Sequence, residues 1–318
     1  MVDSIIPHTI RTVMSGIIEG MCTLKRFLIS FILLTLAACT AGLPGLQQMT
    51  ATPTELPATL TPLPPTLTSV PMAITVNGDG IAVDEFASEL ARYKAAQASS
   101  ENALSEEQAR KAVQDDLVSQ LLLAQSAVES GFSLDDTALQ ERLDALAAQA
   151  GGNDKLSAWQ QAHGYSDESF RLALRRSAQA AWMRDKIMSS VPAVAEQVHV
   201  RQILLYNEDV AKTYYEKLQA GANFDDLAAQ VDPVTLGDIG WFPRGYLADK
   251  AVEDAAFALE TGAYSAIIPG EAGFHIIKLV ERQPARDLSP DALLTLQNRA
   301  LIDWLAEQRQ KSSISLAP

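Results

Sequence analysis

A chain of 318 residues with 47% hydrophobic and 20% charged positions is long enough for two modest domains and a tail. A net charge of -14 excludes an electrostatic nucleic-acid binder, because neutralising phosphates takes a basic face that 25 Lys and Arg against 39 Asp and Glu do not supply. The two cysteines, Cys22 and Cys39, both precede the region of globular composition, so no disulfide staples that region and its cores must stand on packing.

In chain order, the first signal is an address. From Met21 the text reads MCTLKRFLISFILLTLAACTAG: Lys25 and Arg26, an apolar run from Phe27 to Leu36, then Leu36-Ala37-Ala38-Cys39. The run is too short for an ordinary spanning helix, which needs about 20 apolar residues, and small residues sit where a peptidase closes on the backbone. This pattern resembles bacterial lipoprotein precursors, which implies a signal peptide over residues 1–38, cleavage before Cys39 and lipidation of that residue. Met21 places the basic residues where a leader has them and is the expected true start. Residues 39–72 follow as a lipidated cysteine and a Thr/Pro-rich linker with Glu55 its one charge, a composition that stays extended.

At Ala73 the pattern changes. ITVNGDGIAVDEF contains two short β runs around an Asn77-Gly78 turn signal and a helix opening at Asp84. Ser105 with Gln108 forms a capping box ahead of a stripe of Val113, Leu117, Leu121, Ala124 and Val128, stopped at Gly131. Ser133 with Asp136 opens the next helix, with Leu139, Leu143, Leu146 and Ala150 on one face. A third runs from Asp167 to about Ser189, with Phe170, Leu174, Ala178 and Ala181 in register. After Arg282, Ser289 and Pro290 mark the N-cap and first turn of a last helix bearing Leu294, Leu301, Trp304 and Leu305.

The order of these elements resembles the N-terminal chaperone domain of SurA and PrsA foldases. Residues 198–282 resemble a parvulin rotamase domain along nearly their whole length: VHVRQILLY its first strand, LQAGANFDDLAAQV its helix entry, GDIGWFPRG the Gly-Asp-Leu-Gly strand, EDAAFALETGAYS the next helix and turn, GFHIIKLVER the last strand. Together the resemblances imply an α+β fold: a mainly helical SurA/PrsA-like domain over 73–197, an inserted parvulin domain over 198–282 built on a four-stranded antiparallel sheet with flanking helices, and a C-terminal helix over 283–318 returning to the chaperone domain.

Isomerising an X-Pro bond crosses a barrier of about 20 kcal/mol with no bond made or broken, so the site needs an apolar proline pocket and a setting that favours the twisted amide. It needs no cofactor and no metal, and the four histidines, His8, His163, His199 and His275, show no ligand spacing. By resemblance the last-strand histidine is His275, the first-strand histidine position holds Gln202, and the acidic or thiol position falls on Asp232. The proline pocket falls on Leu247, Val252 and Phe257, with Val252 where the family has an aromatic ring. Asp238, between Gly237 and Gly240, is expected to shape a turn, and Trp241-Phe242 to pack.

The function implied is an extracytoplasmic, membrane-anchored foldase, both peptidyl-prolyl isomerase and chaperone, acting on unfolded or proline-containing exported polypeptides. Gln202 and Val252 predict weakened turnover. The alternative is a catalytically silent holdase whose parvulin domain binds peptides. Dimerisation and the choice of inner or outer membrane stay open. A solute-binding lipoprotein would show repeated βα units, which are absent from the pattern.

Overall fold

The computed structural model describes residues 70–97 and 104–317; the leader, Cys39 and the Thr/Pro-rich segment up to residue 69 lie outside the described residues. Strands β1 (Met72–Val76) and β2 (Asp79–Ala82) form a hairpin across Asn77 and Gly78, at φ 53° and 99°. A two-residue hairpin loop whose twist matches the strands requires positive φ at both positions, which Asn and Gly adopt at least cost. The other edge of β1 is taken by β7 (Ile314–Leu316), so the sheet runs β2-β1-β7 and the end of the chain closes onto its first strand. Sequence reading missed β7, because three residues carry no periodicity and their partner lies far away in the chain.

Five helices follow: α1 (Val83–Gln97), α2 (Glu106–Glu129), α3 (Asp136–Ala150), α4 (Asn153–Ala162) and α5 (Asp167–Ser189). The Ser105–Gln108 capping box is made in both directions. In α3 the cap is Asp135, whose carboxylate accepts from Ala138 N, in place of Ser133; a cap must sit directly before the first helical residue to reach its orphan N–H groups. Helix α4 was also missed, since Gln160 is its one buried residue and it has no apolar stripe to announce it. The α2 stripe is buried except for Val128, 53% exposed in the final turn.

The chain then builds β3 (Val194–Leu205), α6 (Glu208–Gln219), α7 (Phe224–Val231), β4 (Asp238–Pro243), α8 (Lys250–Ala258), β5 (Ile268–Gly270) and β6 (Gly273–Asp287). The four strands pair antiparallel in the order β4-β3-β6-β5. Alternation along β3 and β6 divides two cores. Val198, Val200, Ile277 and Leu279 face α8, with Phe242, Val252 and Phe257. Ile203, Leu205 and Ile276 face α6 and α7, with Leu218, Phe224 and Leu227.

Entry and exit of this unit lie side by side. Val194 pairs with Asp287, Leu288 N donates to Ala193 O at 2.8 Å, and the buried Gln197 amide donates to the carbonyls of Arg286 and Asp287 at 3.0 Å each. The closing helix α9 (Pro290–Lys311), capped by Ser289, leaves this ribbon and lays Leu301, Trp304 and Leu305 against Leu123, Ala127, Met183 and Ile187 of α2 and α5. The sheet unit is thus an insertion whose exit strand leads back into the helical unit. Among the described residues no helix is long and apolar enough to cross a membrane.

Candidate functional site

Strand register brings two predicted residues together. Leu204 lies opposite His275 and Gln202 opposite Ile277, so Gln202 and His275 are diagonal neighbours on the face that looks toward α8. His275 Nδ1 is 3.0 Å from Gln202 Oε1. His275 is 7% exposed, and its Nε2 is buried without a hydrogen-bond partner. Burial holds its pKa below the ordinary histidine value, opposed by the negative charge of Asp249.

The predicted pocket residues share that face. Leu247, Val252 and Phe257 belong to the cluster formed with Val198, Val200, Ile277 and Leu279; Val252 and Phe257 are buried and Leu247 half-buried. Phe257 meets the Phe242 ring edge-on at 6.1 Å between centroids and lies under the Arg244 guanidinium at 4.2 Å, so it is core as much as wall.

Asp232 is used otherwise. Its carboxylate accepts from Val234 N at 3.0 Å, from Thr235 N at 3.1 Å and from the Thr235 hydroxyl, and that hydroxyl, helped by the N–H groups, holds its pKa below the usual carboxylate range. These bonds close the loop that ends at Gly237, whose carbonyl accepts from Gln202 N at 2.7 Å. Asp232 therefore reaches the site through the loop it shapes. Asp238 accepts from Gly240 N at 2.8 Å, the expected turn, and also lies 2.8 Å from His199 Nε2. His199 stacks on Trp241 at 5.5 Å.

Two residues that sequence reasoning passed over organise the site. Glu253, 5% exposed, accepts from the N–H groups of Gly245, Tyr246 and Leu247 at 2.8, 2.9 and 3.0 Å, so one buried carboxylate fixes the loop that carries Leu247. The available signal was an acid beside the apolar positions Val252, Ala256 and Phe257 of a short helix. Asp249 caps α8 through Oδ1, which accepts from Ala251 N and Val252 N at 3.0 and 3.2 Å. An Asp one residue before a helix is fully explained by capping, which hid its second neighbour, His275.

The site is thus a largely buried apolar cluster, reached at half-buried Leu247, with the buried His275 imidazole and the half-buried Gln202 amide at its edge. Among the described residues no group of three or more His, Cys, Asp or Glu is placed to hold a metal ion. A proline ring would meet this cluster at half-buried Leu247, and the imidazole–amide pair is a polar group of the kind a twisted amide needs.

Comparison with known proteins agrees. Residues 193–293 match the family model of the PPIC-type PPIASE domain, and residues 22–184, half of the chain, match that of the SurA-like N-terminal domain. Among curated relatives, the periplasmic chaperone PpiD of Haemophilus influenzae is 41% identical over 90 residues, covering 27% of this chain and 14% of that one. The foldase protein PrsA 2 of Bacillus cereus is 26% identical over 174 residues, covering 51% and 59%. The chain therefore matches less than two thirds of the length of each. A crystal structure of peptidylprolyl isomerase (PrsA) from Bacillus cereus superposes with a TM-score of 0.40 at 22% identity, covering 76% of this chain and 87% of that one. With half its length under one model and the whole four-stranded sheet under the other, the chain belongs to the SurA-like N-terminal domain family and carries a PPIC-type PPIase domain.

Proposed function

We propose that the protein is an extracytoplasmic foldase: a peptidyl-prolyl cis-trans isomerase joined to a chaperone region, acting on unfolded or proline-containing exported polypeptides. The observation that carries this reading is the His275–Gln202 pair, 3.0 Å apart at the edge of the apolar cluster that includes Leu247, Val252 and Phe257. In the bound state the proline ring meets that cluster at Leu247. The His275–Gln202 edge faces the amide, where a preorganised polar group in a dry setting favours the rotated carbonyl over the planar one. Asp232 contributes by holding the loop behind Gln202, and the lipobox reading places the protein on the membrane through acylated Cys39, outside the cytoplasm. The names of the relatives, foldase and periplasmic chaperone, support the same reading.

The test is cis/trans exchange of a short X-Pro peptide followed by NMR with the full chain. Acceleration that falls by roughly tenfold or more in His275→Ala and Leu247→Ala, with the sheet folded, is the expected result. No acceleration by the folded wild type would sink the isomerase. That outcome would leave the second reading, a silent holdase, which Gln202 favours because an amide has no titratable proton with which to tune the site. Suppressed aggregation of an unfolded client with no peptide turnover is its signature.

A further inference from the structure

His275 engages Gln202 through one ring nitrogen, and the other points toward a residue known so far only as a helix cap. Nδ1 meets Gln202 Oε1 at 3.0 Å, while Nε2 is buried and unpartnered in a residue only 7% exposed. On the Nε2 side the backbone of β5 carries no side chain: a Cβ added to Gly270 would lie 3.0 Å from His275 Nε2 and 2.1 Å from Asp249 Oδ2. The imidazole and the carboxylate therefore converge on the same bare stretch of backbone. Asp249 Oδ1 is committed to the N–H groups of Ala251 and Val252, which fixes the carboxylate and leaves Oδ2 directed at the gap.

Resting on the isomerase reading of this site, we propose that Asp249 is its positioning acid: Oδ2 faces His275 Nε2 across Gly270 and, with Gln202 on Nδ1, fixes which ring nitrogen carries the proton. The chemistry of the partners supports this. An amide serves either tautomer, accepting from Nδ1–H through its oxygen or donating to bare Nδ1 through its nitrogen. Gln202 therefore cannot select a tautomer, whereas the fixed negative charge of a carboxylate on the Nε2 side favours the proton on Nε2. Asp249 is the charged group that acts on His275, and it opposes the burial that lowers His275's pKa. A cap residue thus takes over the task of an acidic partner, and Asp232, whose carboxylate is filled by its own loop, is free of it.

Ring-15N histidine NMR on the full chain tests this directly, because only four histidines contribute signals and His275→Ala assigns the relevant pair. Asp249→Asn and Asp249→Ser both keep a competent N-cap, so α8 is retained while the charge is removed. The expected result is that both variants shift the His275 ring signals and move its titration further down. Each should also slow X-Pro exchange by roughly tenfold, while Asp232→Asn leaves the His275 signals in place. Wild-type ring signals and titration in both Asp249 variants would overturn the proposal. The ring readout does not depend on turnover: a wild type that fails to accelerate exchange defeats the isomerase reading, and the ring signals still decide for or against Asp249.

Discussion

In the helical region, Glu85 and Glu89 meet Arg176 and Arg92 in a half-buried network, with Asp116 near enough to feel the charges of Glu89 and Arg176. Arg176 pairs with Glu85, Arg92 with Glu89 at 2.5 Å, and the Tyr165 hydroxyl donates to Glu89 at 3.0 Å. In the sheet region the buried polar side chains serve the backbone instead. Gln197 donates to two carbonyls, Glu253 accepts from three N–H groups, and Ser265 accepts from Ile277 N at 3.0 Å. His275 is the exception, bound to another side chain by one nitrogen and to nothing by the other. Helices have no backbone ladder between them, so apolar packing sets how α1, α2 and α5 sit, and the Glu85–Arg176 pair adds one polar tie between α1 and α5. A sheet already has its register, and a buried polar group that serves no backbone stands out as a candidate for function.

Removing the backbone-serving carboxylate should give the largest effect. Glu253→Ala strands three half-buried N–H groups and is expected to cost roughly 3 kcal/mol, read as a lower denaturation midpoint of the sheet unit. A loss below about 1 kcal/mol would mean that water replaces the carboxylate and that the contrast is overstated. Arg176→Ala attacks the other region. It leaves Glu85 without its partner, at side-chain exposures of 11% and 16% for the pair, and should cost roughly 2 kcal/mol, confined to the helical unit by hydrogen exchange.

Acidification should separate the two regions by sign. Burial pushes Asp116 from 3.8 up to about 7, against the lowering hydrogen bond from Gln120. The folded state keeps a proton that the unfolded chain releases, so this contribution is full below 3.8 and lost as pH rises through about 7. His275 is lowered from 6.5, so its contribution is full above 6.5 and lost as pH falls through its folded value. Asp225, which burial raises but Lys278 and Arg201 more than offset, acts in the same direction below 3.8. On going from about pH 7.5 to about pH 5, protection factors should therefore rise in α1, α2 and α5 and fall in β3 and β6. Asp116→Asn should flatten the first response and His275→Gln the second. Responses of the same sign in both regions would erase the contrast.

Local chemistry made much of this legible. Asn77-Gly78, the Ser105–Gln108 box and Ser289-Pro290 each name a backbone geometry that few other residues supply, and each was found where it was expected. His275 and Gln202 came from the resemblance to a rotamase domain, and the diagonal pairing of β3 with β6 brought them together. What stayed hidden depends on neighbours distant in sequence. The pairing of β7 with β1 is one such case. The Asp249 approach to His275 is another, made by a side chain whose local role was already complete. Glu253 was hidden differently, because an acid in the first turn of a helix suits the dipole and needs no further explanation from sequence.

The smallest expected effect tests whether the two regions act separately at all. Gly245 is held from both sides: Glu253, in its own unit, accepts from its N–H, while Arg299 of α9 donates to its carbonyl at 2.6 Å. Gly245 sits at φ +84°, and a Cβ there would lie 3.0 Å from Leu296 Cδ2, so α9 also approaches the loop closely. Arg299 is exposed, and Arg299→Ala should cost only about 0.5 kcal/mol of stability. Its effect on function is the sharper readout. If α9 steadies the loop that carries Leu247, X-Pro exchange should slow by roughly twofold to threefold, mainly through a raised KM, since the pocket wall would be less ordered before substrate arrives. Lysine at 299 should restore part of the rate, because an ammonium can donate to the same carbonyl with one bond. Unchanged exchange in Arg299→Ala would mean that the Arg299 bond does not steady the loop, and that the pocket wall is ordered by Glu253 within its own unit.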